Sequence, residues 1–297
     1  MNKNTGKSPI ANHQSPTASL PIGIFDSGVG GLTVYRALHN RLPNEHFIYL
    51  GDTARVPYGT KSLATVERYA IENSQFLASR GIKILVVACN TASALALPKI
   101  RARIGLDVVG VIGPGARKAV EVTGPNPRIA VIATEATVQS DAYAASIRQA
   151  SERAEVIQTA CPLFVPLAEE NWTAEAETFS IATKYLKDIV GFAPEALVLG
   201  CTHYPILREV IQQTVGERVK LIDSGEACAE EVEKLLKEKN LANPTEVLGE
   251  RRLCDDLDHF YVTDAADRFA RVAERFLGSP PAKLEAIEVF GVDELKN

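Results

Sequence analysis

Short uninterrupted apolar runs recur along this 297-residue chain, and between them apolar residues return every three or four positions. The runs predict strands at residues 22–25, 47–50, 84–88, 108–112, 129–133, 156–159, 196–200 and 219–222, with a ninth at 260–262. Several contain only Val, Ile, Leu and Ala, without polar alternation. Strands of that kind are buried on both faces, as in parallel sheets covered by helices. The stretches between predict helices over 65–79, 116–122, 142–152, 174–189, 206–214, 226–239 and 265–276. In the first of these Val66, Tyr69, Ala70, Asn73, Phe76 and Leu77 share one face; in the last Phe269, Val272, Ala273 and Phe276 do. Strand–helix alternation over this length predicts an α/β fold with right-handed crossovers.

The length suits two domains. Boundaries are expected at Gly113-Pro114-Gly115, where a strand stops and a helix starts, and at Asp223-Ser224-Gly225. The segment between them has its own strands and helices. The C-terminal segment has one more strand, too little to fold alone, and is expected to return to the first domain. The expected division is therefore 21–115 with 225–297 as one discontinuous α/β domain, and 116–224 as the second. Residues 1–20 are rich in Asn, Ser, Thr and Pro and lack an apolar h-region, so a disordered extension is expected rather than a secretory signal.

The two halves echo each other. Leu85-Val86-Val87-Ala88-Cys89-Asn90-Thr91 resembles Leu197-Val198-Leu199-Gly200-Cys201-Thr202-His203, and Phe25-Asp26-Ser27-Gly28 is matched by Ile222-Asp223-Ser224-Gly225. Two such half-sites facing each other give two similar doubly wound domains with mostly parallel sheets and an active site in the cleft between them.

Charge narrows the partners. With 32 basic and 37 acidic residues the net charge is −5, which lacks the basic footprint of a nucleic-acid binder and the polybasic stretch of a membrane-surface protein. No apolar run approaches the roughly 20 residues that span a bilayer. Five scattered cysteines, Cys89, Cys161, Cys201, Cys228 and Cys254, include no CxxC pair, and no metal-ligand cluster is evident. Free thiols are expected.

Most free cysteines are small buried hydrophobes. Cys89 and Cys201 depart from that by position: each ends a predicted parallel strand where a helix begins, the edge at which open α/β sheets bind ligands. A helix N-terminus there is expected to lower the thiol's pKa and make thiolate available. The neighbours Asn90, Thr91, Thr202 and His203 are poor core material and good hydrogen-bond partners for a carboxylate or an ammonium. Two acid/base groups on opposite sides of one small substrate suit inversion of a stereocentre, one removing a proton and the other delivering one. Asp26-Ser27-Gly28-Val29-Gly30-Gly31 follows the first strand; its glycines permit a tight turn and close approach to a ligand. It is neither GxGxxG, since Thr33 stands at the last position, nor a P-loop. His203 reads as acid/base assistance beside Cys201, with a polar helix-start residue as the weaker alternative. Glu169-Glu170 follows Pro162-Leu163-Phe164-Val165-Pro166-Leu167, an apolar loop; by spacing alone the acids are a solvated surface.

Taken together, the motifs resemble the aspartate/glutamate racemase superfamily and within it the glutamate racemases. The matching pieces are Phe25 to Leu32, Tyr49-Leu50-Gly51-Asp52, Arg55 with Pro57-Tyr58-Gly59, Ala88 to Ser93, Thr134 with Ala136-Thr137-Val138, Ala160 to Leu167, and Leu199 to Pro205, in family order. Ala133 stands where many members have Gly. The resemblance implies two α/β domains with glutamate between them and no cofactor or metal. It implies Cys89 and Cys201 as the acid/base pair, Asp26 assisting Cys89, and His203 with Glu169 assisting Cys201, Glu170 remaining the alternative acid. Asp26, Ser27, Tyr58, Gly59, Asn90, Thr91, Thr134, Thr137, Thr202 and His203 are implied as substrate-binding. It further implies a cytoplasmic enzyme supplying D-glutamate for peptidoglycan, and leaves open a homodimer and a cell-wall-precursor activator. Competing readings are an aspartate racemase, a family decarboxylase, expected to keep only one cysteine, and a two-lobed binding protein without turnover.

Overall fold

The computed structural model describes residues 16–245 and 249–289. In chain order the strands are β1 (Ile22–Asp26), β2 (Phe47–Gly51), β3 (Ile84–Val87), β4 (Asp107–Gly110), β5 (Arg128–Ala133), β6 (Glu155–Ala160), β7 (Ala196–Gly200), β8 (Lys220–Asp223), β9 (His259–Val262) and β10 (Leu284–Ala286). The helices are α1 (Leu32–Arg41), α2 (Leu63–Ser79), α3 (Asn90–Leu95), α4 (Leu97–Arg103), α5 (Ile112–Glu121), α6 (Glu135–Gln139), α7 (Ala142–Ala150), α8 (Phe164–Glu169), α9 (Ala176–Phe192), α10 (Arg208–Val215), α11 (Ser224–Glu238) and α12 (Ala266–Leu277).

The strands form two sheets, a six-stranded one ordered β10-β9-β2-β1-β3-β4 and a four-stranded one ordered β6-β5-β7-β8, and every described pairing is parallel. The continuous Val/Ile/Leu runs follow from this: each sheet has a hydrophobic layer on both faces. On the larger sheet, Ile24, Val86 and Phe260 pack with residues of α1, α11 and α12, while Phe25, Leu85 and Val87 pack with α2, α3 and α4. On the smaller, Leu197 and Leu199 face α8, α9 and α10; Val131 and Val198 face α5 and α7. Every residue of β1 and β7 is buried, whereas the edge strand β6 is only half-buried, consistent with its polar Glu155, Gln158 and Thr159.

Several sequence expectations shift. Gly113-Pro114-Gly115 does not separate strand from helix: β4 ends at Gly110, α5 starts at Ile112, and the three residues lie in its first turn. Pro114 is tolerated there because the first-turn N–H groups have no helical partner. The C-terminal segment adds two strands to the large sheet, not one; the three-residue edge strand β10 is too short to carry a pattern. Phe164 to Glu169 is helix, not loop; Pro166 falls in its first turn. The expected disorder of 1–20 is corrected for its last residues: Pro16–Ser19 form a 3₁₀ turn, Ala18 is buried, and its carbonyl accepts from Lys83 Nζ at 2.6 Å. Residues 1–15 lie outside the described residues.

Candidate active site

β1, β3 and β7 all end at one cavity of about 490 Å³, including its mouth, between the two sheets. Strand carboxyl ends are where the backbone turns and side chains can converge on a ligand. Cys89 follows β3 and Cys201 follows β7; both are 5% exposed and both line the cavity, so the two thiols come from different sheets to one space.

Cys89 caps α3. Its Sγ accepts from Ala92 N at 3.5 Å, and its thiol donates to Ser27 Oγ at 3.5 Å. Burial, reinforced by the Asp26 charge, pushes this thiol up to about 12. The lowered pKa expected of a helix start is therefore overturned: one short helix cannot offset desolvation next to a carboxylate. Asp26, at the end of β1, is itself fully buried, and burial raises its pKa, favouring the protonated carboxyl, despite the charge of His203. Its Oδ2 accepts from Gly28 N at 2.9 Å, which closes the turn that presents Ser27, while Oδ1 has no partner among the described residues.

Cys201 has different company. A 3₁₀ turn at Tyr204–Leu207, not an α-helix, follows it directly, and α10 begins only at Arg208. His203 Nδ1 lies 3.8 Å from Cys201 Sγ, His203 Nε2 lies 3.1 Å from Glu169 Oε1, and Glu169 Oε2 accepts from Arg268 at 3.0 Å. Burial pulls the imidazole down, but its bonds to Cys201 and Glu169 outweigh that, and its ionisation is raised. Burial opposes charge on Glu169 too, yet His203 and Arg268 hold it below the ordinary carboxylate range. Glu169 is thus the acid that reaches His203, and Glu170 is exposed.

Of the other residues singled out by sequence, Ser27, Tyr58, Gly59, Asn90, Thr91, Thr134 and Thr202 line the cavity. Asp26 and Thr137 do not; both are fully buried behind its wall. Thr91, Thr134 and Thr137 form a hydroxyl triangle with sides of 3.0, 3.3 and 3.0 Å, spanning the two sheets. The Tyr58 ring lines the cavity, but its hydroxyl is bound to buried Asp52, which also accepts from Asn73 and Arg55. Among the cavity-lining residues there is no Lys or Arg. A carboxylate there would meet hydroxyls and amides.

The glycine-rich turn serves the joint more than a ligand. A Cβ on Gly30 would collide with the Thr202 and His203 side chains, and one on Gly59 would stand 2.9 Å from Thr134 Cβ. Both glycines let one half-site touch the other. Thr33 Oγ1 adds a 2.8 Å bond to Thr202 O across the same joint. Sequence reasoning missed Arg268 and Arg275 of α12, the latter donating to Glu169 O at 3.1 Å, and Tyr143, which bonds Asn90. Nothing in their local pattern marks them; the basic face of α12 reads as solvated surface. Among the described residues no group of three or more His, Cys, Asp or Glu is placed to hold a metal ion, and all five cysteines are free.

Comparison with known proteins agrees with this geometry. The chain is 51% identical over 257 residues to a glutamate racemase of Geobacter metallireducens, covering 86% of this chain and 92% of the relative. A solved glutamate racemase of Francisella tularensis in complex with D-glutamate superposes with a TM-score of 0.83 at 38% identity, covering 92% of this chain and 98% of that one. The Escherichia coli glutamate racemase, solved with L-glutamate and the activator UDP-MurNAc-ala, matches with a TM-score of 0.72 at 29% identity over 92% of this chain and all of that one. Residues 22–232 match the family described as Asp/Glu/hydantoin racemase, and the chain belongs to that family.

Proposed function

We propose that the protein is a glutamate racemase that interconverts L- and D-glutamate with Cys89 and Cys201 as its two acid/base groups. The observation that carries this reading is the convergence of two thiols, from two separate sheets, on one enclosed cavity lined with hydroxyls and an amide. The relatives' names and the D-glutamate bound in the Francisella structure support glutamate as substrate.

The geometry suits the chemistry in three ways. First, an α-carbon proton is weakly acidic, so its base must be strong. Burial that holds the Cys89 thiol near 12 also makes its thiolate more basic than a solvated one. Second, a thiolate at Cys201 would be compensated by the imidazolium of His203, 3.8 Å away and itself held by Glu169. Third, the resting arrangement gives the two thiols complementary states: Cys89 keeps its proton and Cys201 faces positive charge. An enantiomer whose α-hydrogen points at Cys201 loses that proton to its sulfur as the C–H bond breaks. The carbanion takes the Cys89 proton on the opposite face, leaving a Cys89 thiolate and a Cys201 thiol. The other enantiomer runs the same steps in reverse. Asp26 assists Cys89 by shaping the Ser27 turn, and His203 with Glu169 assists Cys201.

We take as the two domains whose cleft this is the division expected from sequence, 21–115 with 225–297 and 116–224, with its first boundary moved to about residue 111 so that α5 stays whole on the smaller sheet. Through the family, the reading extends to a cytoplasmic enzyme supplying D-glutamate for peptidoglycan. The activator bound to the Escherichia coli relative makes a cell-wall precursor an effector to test here. Circular dichroism of L-glutamate and L-aspartate solutions checks the core of the proposal. Purified protein should bring the glutamate signal to zero and leave aspartate far behind; equal or greater turnover of aspartate, or binding without turnover, would overturn it.

A further inference from the structure

Asn90 opens α3 with its side chain enclosed at the cavity wall. A side-chain amide has an accepting end and a donating end, and half a turn about its last bond exchanges them. What fixes the choice here is Tyr143, on α7 beside the other sheet. Its hydroxyl oxygen lies 2.6 Å from Asn90 Oδ1. The phenol is completely buried, which pushes its pKa well above the ordinary tyrosine range, so it keeps its proton and has one to donate. With Oδ1 occupied, Asn90 Nδ2 is left as a buried donor that has no partner among the described residues. Buried donors are costly to leave unmatched, so such a group in a cavity wall calls for an acceptor on the ligand.

We infer that Tyr143 is a positioning residue that locks the Asn90 amide with Nδ2 toward the cavity, where it donates to a carboxylate oxygen of the bound amino acid. This rests on the reading of Asn90 as a substrate-binding residue. It also links binding to assembly of the cleft. Asn90 belongs to the six-stranded half and Tyr143 to the four-stranded half, so the donor is aimed only while the halves are packed together.

Single and double variants of the full chain test it. Tyr143→Phe deletes one oxygen and keeps the ring in the core. It should raise KM for L-glutamate about fivefold, hold kcat within about twofold and leave the melting temperature unchanged, a split that loss of packing would not give. Asn90→Ala should raise KM about tenfold, and adding Tyr143→Phe to it should raise KM no further, since the two act as one unit. A wild-type KM in Tyr143→Phe while Asn90→Ala is impaired, or fully additive effects, would overturn the positioning role and leave Asn90 as a ligand-binding residue. An unchanged KM in Asn90→Ala would overturn that underlying reading instead. Should Tyr143→Phe not fold, Asn90→Asp decides: it keeps an acceptor for Tyr143 but sets an oxygen where Nδ2 was. Its KM should exceed that of Asn90→Ala, and a KM below it would contradict the assigned orientation.

Discussion

Cys89 and Cys201 follow corresponding strands, β3 and β7, each second from an edge of its parallel sheet, yet they stand in opposite electrostatic company. The Cys89 side holds a desolvated thiol beside the carboxyl of Asp26, and these two outweigh the bonds from Ala92 N and Ser27 to favour the protonated form. The Cys201 side holds an imidazole whose own charge is sustained by Cys201 and Glu169, and Arg268 in turn keeps Glu169 ionised. Similar backbone thus carries dissimilar charge. The lesson is that a near-symmetric reaction does not require a symmetric site. Two enantiomers are equal in free energy, so kcat/KM must be equal in both directions whatever the asymmetry. Unlike partners around the two thiols therefore need not favour either product.

The largest effect expected from breaking this comparison comes from the sulfurs. Cys89→Ala and Cys201→Ala should each lower racemisation by about a thousandfold or more, because each turnover uses both faces. Near-normal rates in both directions for either variant, followed by circular dichroism, would make that cysteine a core residue. Next comes the charge beside Cys201. His203→Gln keeps the size and removes the cation, and should cut kcat about a hundredfold. The fall in kcat/KM must be the same from L- and from D-glutamate, while kcat and KM individually shift unequally; an unaltered kcat would remove His203 from the mechanism. Smaller still is the outer end of the relay. Arg268 is more than half exposed, and a solvent-screened pair is worth at most about 1 kcal/mol, so Arg268→Ala should cost about two- to fivefold in kcat. Arg268→Lys should restore most of it.

The smallest effect is on stability at high pH. The ordinary thiol value is 9.0 and the folded Cys89 value is about 12, so the folded state holds its proton where the unfolded chain has lost it. The associated stability is fully present below 9 and is lost as pH rises through about 12. Denaturant titrations should show a shallower alkaline decline for Cys89→Ala than for the wild type; parallel declines would mean that the thiol ionises equally in both states.

How much of this was legible in the sequence follows from what each feature depends on. The central strands were legible because burial on both faces leaves no polar position in runs such as Leu197-Val198-Leu199. The thiols stood out because they end two such runs in matching contexts. The helix α8 was hidden by Pro166, which reads as a breaker and is harmless in a first turn. The direction of the Cys89 shift was not legible, because a helix start is visible in sequence but full desolvation beside Asp26 is a property of the assembled site. Pairings such as Arg268 with Glu169 and Tyr143 with Asn90 join positions far apart in the chain, on elements whose contact depends on how the two sheets meet. The glycine-rich turn was read for its flexibility, and its use lies in the surface it lets approach: Gly30 is empty where Thr202 and His203 must fit.

The isotope pattern in heavy water tests the division of labour between the two thiols most directly. In D2O the resting thiol on the far side of the substrate carries deuterium. The carbanion formed from L-glutamate is quenched by that group, so the D-glutamate produced early should be almost fully deuterated at its α-carbon. L-glutamate still unreacted should be mostly unlabelled, because reprotonation on the original face returns the proton just removed. Proton NMR of samples taken in the first few per cent of conversion reads both. A single acid/base group passing one proton between faces would instead give D-glutamate that keeps its original hydrogen, and that result would contradict the two-thiol mechanism.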